Sequence, residues 1–242
     1  MKRKPASEHR AFLLRASPHG EADVIATLLS DREGVLGAIA RNARTQSPKR
    51  AVLLEPFHTL RIALVPGSGE LWSLRSASID VARTAVLADA ARLEACGLAV
   101  RWCRMLSPAH VPEPEVFASL ERTLDALEAH RDVDATLAAF GLTLLEVLGY
   151  GLVLDGCARC AKPRPAGRAA IVDAAVGGVL CETCRKGHGN VDAALPGVFL
   201  DALASDPEAT LASSPHAAHV LAIVRAAIDA RARAMGHRGD RA

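Results

Sequence analysis

The sequence predicts an α+β chain with a five-stranded β-barrel at its N-terminus and an all-α domain after it. Runs of strand-forming residues, separated by Gly- and Pro-containing turns, occupy residues 10–80. From residue 81 onward, Ala-rich stretches carry apolar residues at helical spacing. A Gly-, Pro- and Cys-rich stretch at about 155–190 interrupts the helices and predicts an inserted module. The predicted domains are therefore 1–80 and 81–242.

Five short strands are predicted in the first domain. The runs lie at 11–15, 24–29, 35–40, 60–65 and 71–79. In the fourth run, Leu60, Ile62 and Leu64 alternate with less apolar neighbours, which is typical of a strand with one buried face. The connections leave no room for helical crossovers, so we expect a small antiparallel barrel. The OB-fold is the five-stranded barrel that fits this count.

Four helices are predicted in the second domain. Apolar positions at helical spacing mark the first three: Val86, Leu93 and Val100; Phe117, Leu120, Leu124 and Leu127; and Leu137, Phe140, Leu144 and Leu148. The third helix should end near Gly149 because two glycines flank Tyr150 there. A last Ala-rich helix is expected from about His216 to Met235.

Four cysteines form the most specific motif in the chain. Cys157 and Cys160 make one Cys-x2-Cys pair, and Cys181 and Cys184 make a second pair after twenty residues. This spacing is typical of a zinc ribbon, in which four thiolates hold Zn²⁺ tetrahedrally. Four sulfur ligands leave no open coordination position, so we expect one structural zinc ion per chain. The apolar residues within 171–180 predict a short hairpin between the two pairs.

Other interpretations of the cysteines fit less well. A redox-active dithiol also uses Cys-x2-Cys, but two pairs at ribbon spacing favour a metal site. A zinc deaminase would need His-x-Glu, which His19 and Glu21 match, and a Pro before the cysteine pair, which is missing. His188, near the second pair, is either a substitute ligand or an exposed loop residue. Cys96 and Cys103 are expected to be buried as small apolar residues.

Charge and hydropathy restrict the classes of protein further. No apolar run reaches the length of a membrane span, and the apolar stretch 11–14 is too short for a signal peptide. We therefore expect a cytoplasmic protein, in which cysteines favour metal binding over disulfides. Residues 1–80 carry twelve Lys and Arg against eight Asp and Glu, whereas residues 81–242 carry seventeen against nineteen. The excess positive charge thus lies in the predicted barrel.

A basic segment leaves the predicted third strand. Residues 34–54 contain no acidic residue but include Arg41, Arg44, Lys49 and Arg50. Such a segment suits contacts with DNA phosphates that do not depend on base sequence. A solvated, charged loop is the alternative interpretation.

Aromatic residues are scarce in the barrel, although OB-folds commonly stack bases on them. Only Phe12, Phe57 and Trp72 lie there. We expect both phenylalanines in the core, whereas Trp72 either stacks a base or packs inside. A groove with positive charge and few aromatics would grip the backbone of a strand and leave its bases free.

Four stretches of the chain recur together in one known family, in the same order. They are Ala11–Leu14 with Gly20–Asp23; Gly34 through Arg44; Leu54–Phe57, with its Pro-Phe pair; and Leu145–Tyr150 running into Cys157 and Cys160. In this order they resemble the RecO family of DNA repair and recombination mediators, in its zinc-bearing type.

The resemblance implies a mediator that is not an enzyme. It would bind single-stranded DNA, anneal complementary strands and, with RecR, help load RecA onto DNA coated by single-strand-binding protein (SSB). The absence of a G-x-x-x-x-G-K-[ST] phosphate loop agrees with this. The alternatives are a zinc-ribbon transcription factor or protein-binding adaptor, and, among enzymes, a dithiol oxidoreductase or a metal hydrolase. The mediator would act in the cytoplasm, at the nucleoid.

The first helix also suggests a binding surface for the acidic, apolar C-terminal tail of SSB. The residues that would form this groove are Arg92, Arg101 and Arg104, flanking Leu98, Trp102 and Leu106. The alternative is that Trp102 and its neighbours belong to the core below a solvated arginine face.

Overall fold

The computed structural model describes residues 5–43, 54–67, 69–186 and 194–236. The chain forms two compact units, residues 1–129 and 130–242. The first unit contains the barrel and two helices, and the second contains the remaining helices and the cysteine module. Two helices group with the barrel, so these compact units differ in extent from the predicted domains. The domain boundary near residue 80 stays a prediction.

Five strands form a closed barrel in the first unit. They are β1 (Ser7–His19), β2 (Asp23–Ser30), β3 (Gly34–Ala40), β4 (Thr59–Val65) and β5 (Trp72–Val81). The order is β1-β2-β3-β5-β4, and β4 pairs with β1 to close the ring. All pairs are antiparallel except β3 with β5, which is parallel. An odd number of strands cannot alternate direction around a closed ring, so one parallel pair is unavoidable.

The interior of the barrel is apolar and rich in alanine. Leu60, Ile62 and Leu64 of β4 are all buried, as their alternation predicts. Their neighbours inside include Ala26 and Ala38, whose small side chains suit a narrow five-stranded barrel. The OB-like barrel predicted from the sequence is thereby confirmed.

The connection between the first two helices, α1 (Ala90–Leu106) and α2 (Pro114–Glu128), extends the barrel beside β3. The N–H of His110 donates to the carbonyl of Val35 at 2.8 Å. Gly34 has a positive φ of 68°, and a Cβ there would lie 1.9 Å from the Val111 carbonyl oxygen. Only glycine therefore allows this loop to approach the start of β3.

A buried arginine joins α2 to the barrel. Arg83 is 1% exposed, and its Nε donates to Asp125 Oδ1 at 2.8 Å. Its Nη1 donates to Thr59 Oγ1 at 3.1 Å and to the Phe57 carbonyl at 3.2 Å. Its backbone N–H donates to Nδ1 of His58 at 3.0 Å. The guanidinium thus satisfies polar groups of the barrel and of α2 at once.

The start of the helical region differs from the helix that Val86, Leu93 and Val100 predict. Ala85–Ala88 form a 3₁₀ turn, so Val86 lies outside α1. The Glu128 carboxylate accepts the backbone N–H groups of Thr84, Ala85 and Val86, each at 3.0 Å, and so stabilises the open end of this turn. Leu93 is 37% exposed. Leu93 therefore lies in the predicted helix but not on its buried side.

The second unit contains five helices and one hairpin among its described residues. They are α3 (Val133–Val147), β6 (Ile171–Asp173), β7 (Gly178–Leu180), α4 (Glu182–Arg185), α5 (Gly197–Ser205), α6 (Pro207–Leu211) and α7 (Ala217–Ala234). α3 packs against α6 and α7. The hairpin and the last helix agree with the sequence prediction. No helix in the described ranges is both long and apolar enough to cross a membrane.

Candidate metal centre and nucleic-acid interface

The four paired cysteines converge on one point. The sulfur atoms of Cys157, Cys160, Cys181 and Cys184 all lie within 4.8 Å of one another. Those of Cys160 and Cys181 are 3.8 Å apart. A tetrahedral site with Zn–S bonds of about 2.3 Å places its sulfurs ~3.8 Å apart. The cluster therefore has the geometry to hold a metal ion, and its four soft sulfur donors are compatible with structural zinc.

Two local structures place the sulfurs. In the first pair, the N–H of Ala161 donates to the Cys157 carbonyl at 2.8 Å, with Ala161 in a left-handed conformation of φ 57°. The N–H of Ala158 donates to the Val179 carbonyl at 2.8 Å, which fixes this turn to β7. The second pair starts α4, where Cys181 is the residue before the first helical turn.

Backbone N–H groups set the ionisation of the cluster. The N–H groups of Cys181 and Cys160 lower the pKa of Cys157 to about 6, and the N–H of Cys184 lowers the pKa of Cys181. The pKa of Cys184 is raised to about 12, because its thiol donates to the sulfurs of Cys181 and Cys160. The protein alone thus stabilises some of the four cysteines as thiolates, whereas a bound cation would favour the thiolate form of all four.

The two remaining cysteines have a different environment. Cys96 and Cys103 lie on α1 and are fully buried, as expected. Burial raises the pKa of Cys96 to about 11 and also raises the pKa of Cys103. Both therefore behave as neutral apolar side chains.

Of the four basic residues expected to contact DNA, Arg41 lies within the described residues. It follows the last residue of β3, is exposed and has no ion-pair partner among the described residues. The next N–H, of Asn42, donates to Asp23 Oδ1 at 2.8 Å, which holds the turn against β2. Arg44, Lys49 and Arg50 lie outside the described residues, as does His188.

The aromatic residues of the barrel are mostly covered by other side chains. Phe12 is buried against Phe117, with 4.9 Å between the ring centroids. Trp72 is half-buried against the barrel core and meets the ring of His9 edge-on, at 6.4 Å. Phe57 is partly exposed and does not belong to the buried core, so the expectation for this residue was wrong. Trp72 is thus partly a core residue, as one of the two alternatives expected.

The residues expected to bind the SSB tail all lie on α1 but differ in exposure. Trp102 is only 2% exposed, which agrees with the core alternative. Arg92 donates to Asp89 Oδ2 at 3.1 Å and to the Leu127 carbonyl at 3.3 Å. Arg101 is exposed and Arg104 is half-buried.

Sequence patterns did not indicate Arg164, which anchors the cysteine module. Its guanidinium donates to the Leu154 carbonyl at 2.8 Å and to the Arg168 carbonyl at 3.1 Å, and it pairs with Asp201 of α5. Asp201 also accepts the N–H of Gly167 at 2.9 Å. The two charged partners are far apart in sequence, so no spacing pattern could reveal them.

Comparison with known proteins covers both parts of the chain. The family model for the N-terminal part of recombination protein O matches residues 2–81, and the model for its C-terminal part matches residues 88–236. The DNA repair protein RecO of Anaeromyxobacter sp. (strain K) is 38% identical over 176 residues, 72% of this chain and 69% of that protein.

Two further proteins named DNA repair protein RecO are similar. That of Myxococcus xanthus is 34% identical over 179 residues, 72% of this chain and 70% of the relative. That of Pelobacter propionicus is 30% identical over 180 residues, 74% of this chain and 72% of the relative. These matches confirm the resemblance found in the sequence. The chain belongs to the recombination protein O (RecO) family, and its function lies in DNA repair.

Proposed function

We propose that this chain is a recombination mediator that binds single-stranded DNA, anneals complementary strands and, with RecR, helps load RecA onto SSB-coated DNA. The observation that supports this most directly is an OB-like barrel in which exposed Arg41 directly follows β3. Arg41 begins a run to residue 54 without an acidic residue. Arg44, Lys49 and Arg50 in this run would extend the same phosphate-binding surface.

Annealing suits a surface of this kind. Two strands repel each other through their phosphates, so a basic surface that neutralises them lets the strands approach. The bases must stay free to pair. None of the aromatic residues Phe12, Phe57 and Trp72 is fully exposed in the described part of the barrel, which favours gripping by backbone contacts over base stacking.

The proposed activity needs no catalysis by this chain. The sequence contains no phosphate-loop motif, and the four-cysteine cluster would surround a metal without an open ligand position. We therefore propose one structural Zn²⁺ per chain. A zinc-ribbon transcription factor or adaptor would instead read duplex bases or bind protein, and it does not account for the OB-like barrel.

The proposed partners follow from the same activity. The chain would act with RecR on SSB-coated strands in the cytoplasm, at the nucleoid, and reach RecA indirectly. We propose that Arg92, Arg101 and Arg104 on α1 attract the acidic SSB tail. Trp102 would then support the helix from below, since it is buried.

Annealing of complementary oligonucleotides without nucleotide tests the proposed function. The wild-type protein should accelerate annealing, and ATP should change nothing. Arg44→Glu with Arg50→Glu should lose this acceleration, because two lost phosphate contacts weaken strand binding roughly 25-fold at 0.1 M salt, about fivefold each. Arg122→Glu with Arg225→Glu is the matched control, since it reverses two exposed charges on α2 and α7. No acceleration by the wild type would exclude the mediator function.

A further inference from the structure

A basic cleft opens beside the cysteine cluster, within the second unit. Its volume is about 240 Å³, which is enough for a phosphate group with part of its hydration shell. One acidic residue, Glu182, lines it. Four cationic residues line it: Lys162, Arg164, Arg168 and Arg185. We call this the module cleft.

The four cations have different roles. The Arg164 side chain is 6% exposed and is fully engaged with two carbonyls and Asp201, so it forms part of the wall. Arg168 pairs with Glu182 at 3.0 Å, and both side chains are exposed, at 61% and 76%. A surface ion pair of this kind is weak, so a phosphate can replace the carboxylate.

The remaining two cations are available to a ligand. The side chains of Lys162 and Arg185 have no hydrogen-bond or ion-pair partner within the described ranges. Their backbones, in contrast, are held firmly by the two cysteine turns. The carbonyl of Lys162 accepts the N–H of Cys157 at 2.9 Å, and the N–H of Arg185 donates to the Cys181 carbonyl at 3.0 Å. Two cations without partners are thus available to an anion, and the backbones that carry them are already ordered.

Neutralisation of the thiolates is the simpler explanation for these charges, since four thiolates around Zn²⁺ carry a net charge of −2. Hydrogen bonds in the described structure do not support it. No hydrogen bond joins the side chain of Lys162 or Arg185 to a cysteine sulfur there, and backbone N–H groups serve the sulfurs instead. The cations line the cleft without bonding the cluster.

We propose that the module cleft is a second nucleic-acid contact, which binds the phosphodiester backbone of a single strand through Lys162, Arg185 and Arg168. This inference rests on the proposed function and deepens it. The cleft admits one phosphate group at a time, which suits a flexible strand more than the rigid phosphate rows of a duplex. With the basic segment of the barrel, it would give one chain two phosphate-binding surfaces, so that one chain could hold two strands.

A salt titration of binding to a single-stranded oligonucleotide tests the cleft, with the full chain and its bound metal. Lys162→Gln with Arg185→Gln should reduce the slope of log affinity against log salt by about 0.7, because the one phosphate held in the cleft contributes ~0.7. Arg122→Gln with Arg225→Gln removes the same charge elsewhere and should leave the slope unchanged. Glu182→Gln frees Arg168 and should strengthen binding, up to about fivefold at 0.1 M salt. Zinc content should equal that of the wild type in every variant.

The outcomes separate this inference from the proposed function. If the wild type binds the strand and the cleft variant behaves like the control, the cleft proposal is wrong and the proposed function stands. Loss of zinc from the cleft variant would overturn the proposal as well, because the cations would then serve the metal site. The proposal is also wrong if the cleft variant loses affinity for duplex DNA but binds the single strand as the wild type does. If the wild type binds no single strand, the proposed function itself fails.

Discussion

Replacing Cys160 with serine should reduce the zinc content from one ion per chain to nearly none and unfold the cysteine module. The serine hydroxyl is a poor ligand, and a structural zinc site contributes on the order of 10 kcal/mol to the folding of small zinc-dependent units. Cys160 is exposed, so the substitution removes almost no packing. Any loss of stability therefore reports on the metal. Elemental analysis and hydrogen exchange should show loss of metal and of protection at residues 171–180, with β1 to β5 still protected.

Cys96→Ala provides the control for this experiment. Cys96 is buried in α1, so alanine there removes a sulfur and some packing but no ligand. This variant should keep its full zinc content although it is less stable. If Cys160→Ser protein is as stable as the wild type, or the wild type contains no metal, the cluster is not a structural zinc site.

Replacing Arg83 with methionine should destabilise the barrel unit by roughly 2 kcal/mol, as expected when buried polar groups lose their hydrogen-bond donor. Methionine is of similar length and fills the space. It cannot donate to Thr59 Oγ1 or the Phe57 carbonyl, which lose their hydrogen bonds, and Asp125 loses its counterion. Urea unfolding of the full chain measures this loss.

An exposed arginine in the same barrel provides the matched control. Arg61 pairs with Asp80 at 2.7 Å, but its side chain is 62% exposed. Arg61→Met should therefore destabilise the barrel unit much less than Arg83→Met does. Equal losses of unfolding free energy in the two variants would mean that the buried hydrogen bonds of Arg83 do not stabilise the barrel unit.

Features with a local pattern could be predicted from the sequence. The alternation of Leu60, Ile62 and Leu64 indicates a half-buried strand, and the spacing of four cysteines indicates a metal cluster. Closure of the five strands into a barrel is harder to predict from the sequence. Strand order and the parallel pairing of β3 with β5 depend on which strand edges meet in space, and no local sequence pattern indicates this.

Features that depend on distant residues could not be predicted. Arg83 meets Asp125 after 42 positions, and Arg164 meets Asp201 after 37. α6 spans only Pro207–Leu211, which is too short for a helical period. The module cleft is likewise formed by cations from two separate cysteine turns.

We propose that this RecO-family chain grips single-stranded DNA by its backbone. A salt titration of wild-type binding to single-stranded and duplex oligonucleotides of several base compositions can decide this. We expect tighter binding to single strands, little dependence on base composition, and a log–log salt slope that reflects several phosphate contacts at ~0.7 each. Preference for duplex of one sequence, or affinity insensitive to salt, would contradict it and favour a zinc-ribbon transcription factor or adaptor.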